Sequence, residues 1–301
     1  MDAVRRPTLD EMGLSLGKKT RLRRLLYENG LRNGTLMILP IDQGLEHGPL
    51  NFFPNPPSAD PDFQWRLARE GGYNGIALHY GLARKYMDRY AGTVPLILKI
   101  NGKTNVPSDA DALSTLTASV EDAVALGADA VGYTLYLGSP RQDEDFLQFV
   151  EVREACDKWG MPLIVWGYPR GSAIEQKGGR DSLYAVDYAA RVAMELGADI
   201  VKLNMPKPGP KDPEQPKPYD TLEYTYEEGA RRVVASAGRT LVLFSGGSKL
   251  GDDDLMHKTR TAMDAGAVGL IFGRNMWQRP YDEALAITRR VQSEVLSHFA
   301  D

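Results

Sequence analysis

The chain has 301 residues, of which 43% are hydrophobic and 25% charged, and a formal net charge of −4. These are ordinary values for a folded globular protein, and they give no electrostatic basis for binding nucleic acid or an anionic membrane. One cysteine, Cys156, excludes an internal disulfide framework; with no signal-type N-terminus and no run of 18 apolar residues, a cytoplasmic location is expected.

Residues 1–35 read as a helical N-terminal extension. Its basic cluster at 18–24 (KKTRLRR) is expected on a solvated helix face. Short apolar strands then follow at 36–42, 75–80, 95–101, 130–136, 163–168, 199–204, 241–245 and 268–273. Their starts lie roughly 33 residues apart, about one βα unit each. Amphipathic stretches at 110–126, 144–158, 182–196 and 255–265 supply helices between them. A recurrent word precedes several strands: Gly127-Ala128-Asp129, Gly197-Ala198-Asp199 and Gly266-Ala267-Val268. Glycine suits a helix end that turns directly into a strand, because it adopts positive φ without strain. The pattern predicts one domain spanning residues 1–301, a closed (β/α)8 TIM barrel. The alternative, a doubly wound open sheet, lacks a Gly-x-Gly-x-x-Gly after its first strand.

In such a barrel chemistry gathers at the C-terminal strand ends. Strand alternation places Asp42, Lys99, Trp166, Tyr168 and Lys202 on inward faces converging at that rim. Lys202 is the most informative, because a strand buried on both faces carries a lysine only when the amine is paired or performs chemistry. Burial lowers an amine's pKa and so increases the neutral form that attacks a ketone; the plainer reading is a strand-end lysine that snorkels out or pairs with a carboxylate. The loops after the last two strands carry Ser245-Gly246-Gly247 and Gly273-Arg274, a cradle for phosphate built from backbone N–H groups and one guanidinium. No metal site is expected: His47, His79, His257 and His298 form no paired ligand motif, though His79 falls near a strand end. The run 252–254 (Asp-Asp-Asp) reads as the cap of a helix rather than a calcium loop.

Several words together resemble one family. Asp42-Gln43-Gly44-Leu45-Glu46-His47-Gly48, Trp166-Gly167-Tyr168-Pro169-Arg170-Gly171, Ile200-Val201-Lys202, Ser245-Gly246-Gly247 and Gly273-Arg274-Asn275 are similar to archaeal-type class I fructose-bisphosphate aldolases, the DhnA-like group. The resemblance implies that Lys202 forms the Schiff base and that Tyr168 is the general acid/base. It implies Trp166 beside them shaping the pocket, and Asp42 placing substrate and lysine. Ser245, Gly246, Gly247, Gly273 and Arg274 would hold the phosphate of the three-carbon ketone half. It also implies a metal-independent lyase with no cofactor, and a homo-oligomer of two stacked five-membered rings, a decamer. With an ordinary pKa near 10, Tyr168 would need Lys202 or Lys99 to lower it, and Lys99 would also hold the Lys202 pKa down as a nearby cation. Related readings keep the lysine and change the reaction: a synthase or a thiolase acting on another phosphorylated ketone. A non-catalytic phosphate-ligand binding protein is the third. The Trp166-Gly167-Tyr168 word favours the aldolase.

Two positions stay open at this level. The proline-rich insertion 205–219 (MPKPGPKDPEQPKPY) follows the sixth strand and reads as a lid, a subunit contact or a plain exposed excursion. Glu175, Glu214 and Glu223 compete as a further acid, and Arg170 and Lys103 as ligands of a second phosphate.

Overall fold

A computed structural model describes residues 4–247 and 249–300. Eight parallel strands close into a barrel in simple chain order: β1 Leu36–Pro40, β2 Gly75–His79, β3 Leu96–Lys99, β4 Ala130–Leu135, β5 Leu163–Gly167, β6 Ile200–Leu203, β7 Leu241–Ser245 and β8 Gly269–Ile271. Each was expected from its apolar run. The closed barrel has no exposed sheet edge, and β8 pairs back onto β1 through Met37 and Leu270.

Two apolar layers follow from the period-two alternation of the strands. Leu36, Ile38, Ile97, Ile164, Ile200 and Leu243 fill the barrel interior. Met37, Leu39, Leu98, Val165, Val201 and Phe244 point out into the layer under the helices.

The N-terminal extension is helical at Leu16–Arg23 and continues through a π-helical turn at Arg24–Glu28. It is no loose appendage: Leu22, Leu25 and Leu26 join the interior cluster and plug the N-terminal mouth of the barrel. Burying each leucine is worth about 2 kcal/mol.

The basic cluster is solvated only in part: Arg23 and Arg24 are exposed as expected, but Lys18 is not. Lys18 is buried and ion-paired with Asp199 at 3.0 Å and Asp157 at 2.7 Å, and Arg24 pairs with Asp129 at 2.9 Å. Asp129 and Asp199 are the acids of the recurrent Gly-Ala-Asp words, so those words dock the extension as well as ending helices. A helical-wheel reading misses this because the partners lie more than a hundred residues away.

The helices at Gln142–Trp159, Leu183–Leu196 and Asp252–Asp264 match expectation within a turn, and the three aspartates form the first turn of the last. The long helix expected at 110–126 is only Val120–Ala125, started by a capping box between Ser119 and Asp122. Upstream, Thr115–Leu116 pairs antiparallel with Asn101–Gly102. Asn101 explains the difference: its amide donates to the Ser114 and Thr134 carbonyls, at 3.2 and 2.8 Å, and ties the segment down as a ribbon.

Candidate active site

The strand ends open into a cavity of about 440 Å³. Asp42, Tyr168, Lys202, Ser245, Gly246, Gly247, Gly273 and Arg274 all line it, as alternation and loop position predict. Lys202 lies on β6 in register with Trp166 of β5 and Leu243 of β7. Its side chain is buried and its Nζ donates to the Tyr168 hydroxyl. Its amine also stands 5.2 Å from the Trp166 ring centroid. Burial, chiefly, brings the Lys202 pKa down from 10.5 to about 8; the carboxylates of Asp42 and Glu46 oppose this, while Lys99 and Arg274 add to it.

Four features depart from the sequence reading. Lys99 is fully buried and does not line the cavity. Its Nζ stands 4.7 Å from the Trp166 ring centroid and donates to the Thr134 hydroxyl. Burial keeps its pKa below the usual lysine range, against the fields of Asp42 and Glu46. Trp166, expected to shape the pocket, is fully buried and does not line the cavity either; it has both amines against its ring. The meeting requires a glycine in β4: a Cβ at Gly132 would come within 2.8 Å of Lys99 Cδ and 2.9 Å of Trp166 Cζ3.

Tyr168 behaves opposite to expectation. Burial first, then the fields of Glu46 and Asp42, push its phenol well above 10, so the resting group is a proton donor.

Glu46, which sequence reasoning did not single out as an acid, lines the cavity, whereas Glu175, Glu214 and Glu223 do not. Asp42 immediately precedes the short helix Gln43–His47 without capping it through its side chain, and Glu46 lies four residues on, one helical turn, so both carboxylates reach the site. Asp42 is buried with Oδ1 lacking a hydrogen-bond partner among the described residues. Burial and Asp42 raise the Glu46 pKa. The spacing Asp42-x-x-x-Glu46 was the available signal for this pair.

At the β7–β8 side, Ser245 Oγ donates to Asn204 Oδ1 at 2.6 Å. Asn204 Nδ2 in turn donates to Asp181 at 3.0 Å. A Cβ at Gly246 would meet Asn275 Nδ2 at 2.4 Å, and one at Gly273 would meet Gln43 Nε2 at 2.8 Å, so at both positions a side chain could enter only if its neighbours moved. Across the mouth, Arg170, Arg180 and Lys103 converge on Asp109, at 3.3, 3.9 and 2.8 Å. Arg170 and Arg180 line the cavity and Lys103 does not. Arg180 and Asp181, which sequence reasoning missed, come from the irregular loop after β5, where no periodicity points a side chain.

None of residues 205–219 lines the cavity. Lys207, Pro208, Gly209 and Lys211 border a separate cleft with Arg180 and Asp181, and Gly209 bridges to Tyr224. His79 faces an apolar cavity beside β2 rather than the rim, and burial lowers its pKa to about 4. Among the described residues no three His, Cys, Asp or Glu side chains are placed to hold a metal ion, and no helix is long and apolar enough to cross a membrane.

Fold and site together define an α/β barrel with a buried amine at the end of its sixth strand. Residues 36–279 match the DeoC/LacD family aldolases, and the chain belongs to that family. It is 41% identical over 249 residues to the class 1 fructose-bisphosphate aldolase of Thermoproteus tenax, covering 82% of this chain and 85% of that protein. An archaeal fructose-1,6-bisphosphate aldolase, solved with its catalytic lysine covalently bound to the carbinolamine intermediate of the substrate, superposes with a TM-score of 0.78 at 37% identity; the match covers 91% of this chain and 99% of that one. The fructose-bisphosphate aldolase of Slackia heliotrinireducens gives a TM-score of 0.84 at 27% identity, over 98% of this chain and 92% of its own.

Proposed function

We propose that the protein cleaves fructose 1,6-bisphosphate reversibly into dihydroxyacetone phosphate and glyceraldehyde 3-phosphate through an imine on Lys202. The observation that carries this reading is the buried Lys202 amine, hydrogen-bonded to Tyr168 in a cavity with glycine-rich loops and Arg274 at one side. Glycolytic and gluconeogenic carbon flow both use this reaction.

The neutral Lys202 amine attacks C2 of the open-chain ketose. Tyr168, protonated at rest, gives its proton to the departing C2 oxygen, which leaves as water, and a protonated imine remains. That cation, now beside the phenolate, stabilises it. The phenolate takes the C4 hydroxyl proton, the C3–C4 bonding pair moves into the imine, and the aldehyde departs. Tyr168 then returns the proton to C3 of the enamine, and water releases the ketone and the amine. Asp42 and Glu46 stabilise the cationic imine, and the free Oδ1 of Asp42 is available to a substrate hydroxyl. Trp166 packs against the amine. Ser245, Gly246, Gly247, Gly273 and Arg274 bind the ketone-side phosphate. Arg170 and Arg180 bind the other one, with the Asp109 carboxylate occupying that cation cluster until the phosphate arrives.

Borohydride trapping with fructose 1,6-bisphosphate in EDTA, followed by peptide mass mapping, tests the reading. A stable adduct on Lys202 is expected. Folded protein that yields none removes it.

A further inference from the structure

Lys258 belongs to no motif and lies on the helix Asp252–Asp264, behind the β7 loop. Its Nζ donates to the Gly246 carbonyl at 3.2 Å, and a Cβ at Gly247 would lie 3.9 Å from the same amine. Gly246 and Gly247 line the cavity, whereas Lys258 does not. The Gly246–Gly247 peptide is trans, so its C=O and N–H point in opposite directions. The Gly247 N–H finds no acceptor among the described residues. Gly247 also has φ +72°, a conformation that costs glycine nothing and lets the peptide turn.

We propose that Lys258 is a positioning residue for phosphate: by donating to the Gly246 carbonyl from the helix side, it holds the Gly247 N–H turned into the cavity and strengthens it as a donor. A cation on the carbonyl oxygen polarises the peptide toward a more positive N–H. The inference rests on the reading of the β7–β8 loops as the phosphate cradle.

The amine is also set to respond to pH. Lys258 makes no ion pair among the described residues, and burial brings its pKa down to about 8, opposed by the field of Asp181. Asp181 is already engaged by Lys207 at 3.5 Å. On the same helix Asp254 precedes Lys258 by one turn, and Glu227 of the neighbouring helix faces His257 instead, at 3.8 Å. Arg274, from the β8 loop, is the other cation of the cradle. A dianion arriving in front of the peptide favours protonated Lys258, so binding is strongest below about pH 8 and weakens as the amine loses its proton.

Calorimetric titration with inorganic phosphate tests this in a Lys202→Met background, where the other amine titrating near pH 8 is gone and no turnover is needed. Adding Lys258→Met is expected to weaken phosphate binding about tenfold at pH 7, and Lys258→Arg to restore most of it. From about pH 8.2 to 9.5, where inorganic phosphate is almost wholly the dianion, affinity should fall in K202M and stay level in K202M/K258M. Equal affinity and equal pH profiles in the two proteins would overturn the role of Lys258. Should the double variant not fold, an affinity in K202M that is level across this range overturns it as well. Phosphate binding absent from the wild-type chain would remove the cradle reading itself, and borohydride trapping on Lys202 tests the imine independently of both.

Discussion

Replacing Lys202 with methionine should make the protein more stable at neutral pH while abolishing imine formation. The Lys202 pKa is about 8 in the folded chain against 10.5 ordinarily. A difference of some 2.5 units corresponds to about 3 kcal/mol between protonation states. The sign follows from proton counting. Between pH 8 and 10.5 the unfolded chain holds the proton and the folded chain does not, so stability rises with pH through that window. Below pH 8 the folded state carries the whole cost. Methionine has a similar reach and no charge to desolvate, so K202M removes up to about 3 kcal/mol of destabilisation at pH 7. With about 2.1 cal/mol/K of unfolding entropy per residue, a chain of this length converts that into a Tm rise of about 5 °C. Differential scanning calorimetry of both proteins at pH 7 and pH 10 measures it, and the gap should shrink toward zero at the higher pH. A variant less stable than wild type at pH 7, or a gap that does not narrow with pH, would refute the claim that this amine is held in an unfavourable site for chemistry.

Two further outcomes follow from the packing. Gly132→Ala puts a methyl group 2.8 Å from Lys99 Cδ and 2.9 Å from Trp166; the overpacking should cost about 1–3 kcal/mol in urea denaturation and lower kcat as Trp166 shifts against Lys202. Full stability with unchanged kcat would show that the packing around Lys99 and Trp166 is looser than these distances state. Lys18→Met leaves the buried Asp199 carboxylate without its cation and should cost about 3–5 kcal/mol, read as a lower urea midpoint, with kcat preserved in the protein that remains folded. A midpoint within error of wild type would show that the extension does not lock the barrel floor.

Local pattern carried the barrel. Period-two strands and helix-ending glycines are properties of neighbouring residues, so eight strands could be placed within a residue or two. The same alternation correctly turned Lys202, Tyr168 and Asp42 inward, because a strand's two faces are set by its own pleat. Depth and partnership were decided only by closure of the barrel. Lys99 and Lys202 share the inward direction, yet the missing Cβ of Gly132 leaves room for Lys99 against Trp166, off the cavity, while Lys202 lines it. Lys18 looked solvated until Asp199 and Asp157 met it across the floor. Tyr168 looked ready to lose its proton beside two lysines, but two carboxylates from the β1 side and its own burial hold the proton on. Arg180 and Asp181 reached the site from a loop, and Lys258 reached the Gly246 carbonyl from a helix, with no periodic signal toward either. Charges act through space and through desolvation, and neither quantity exists until distant segments have packed.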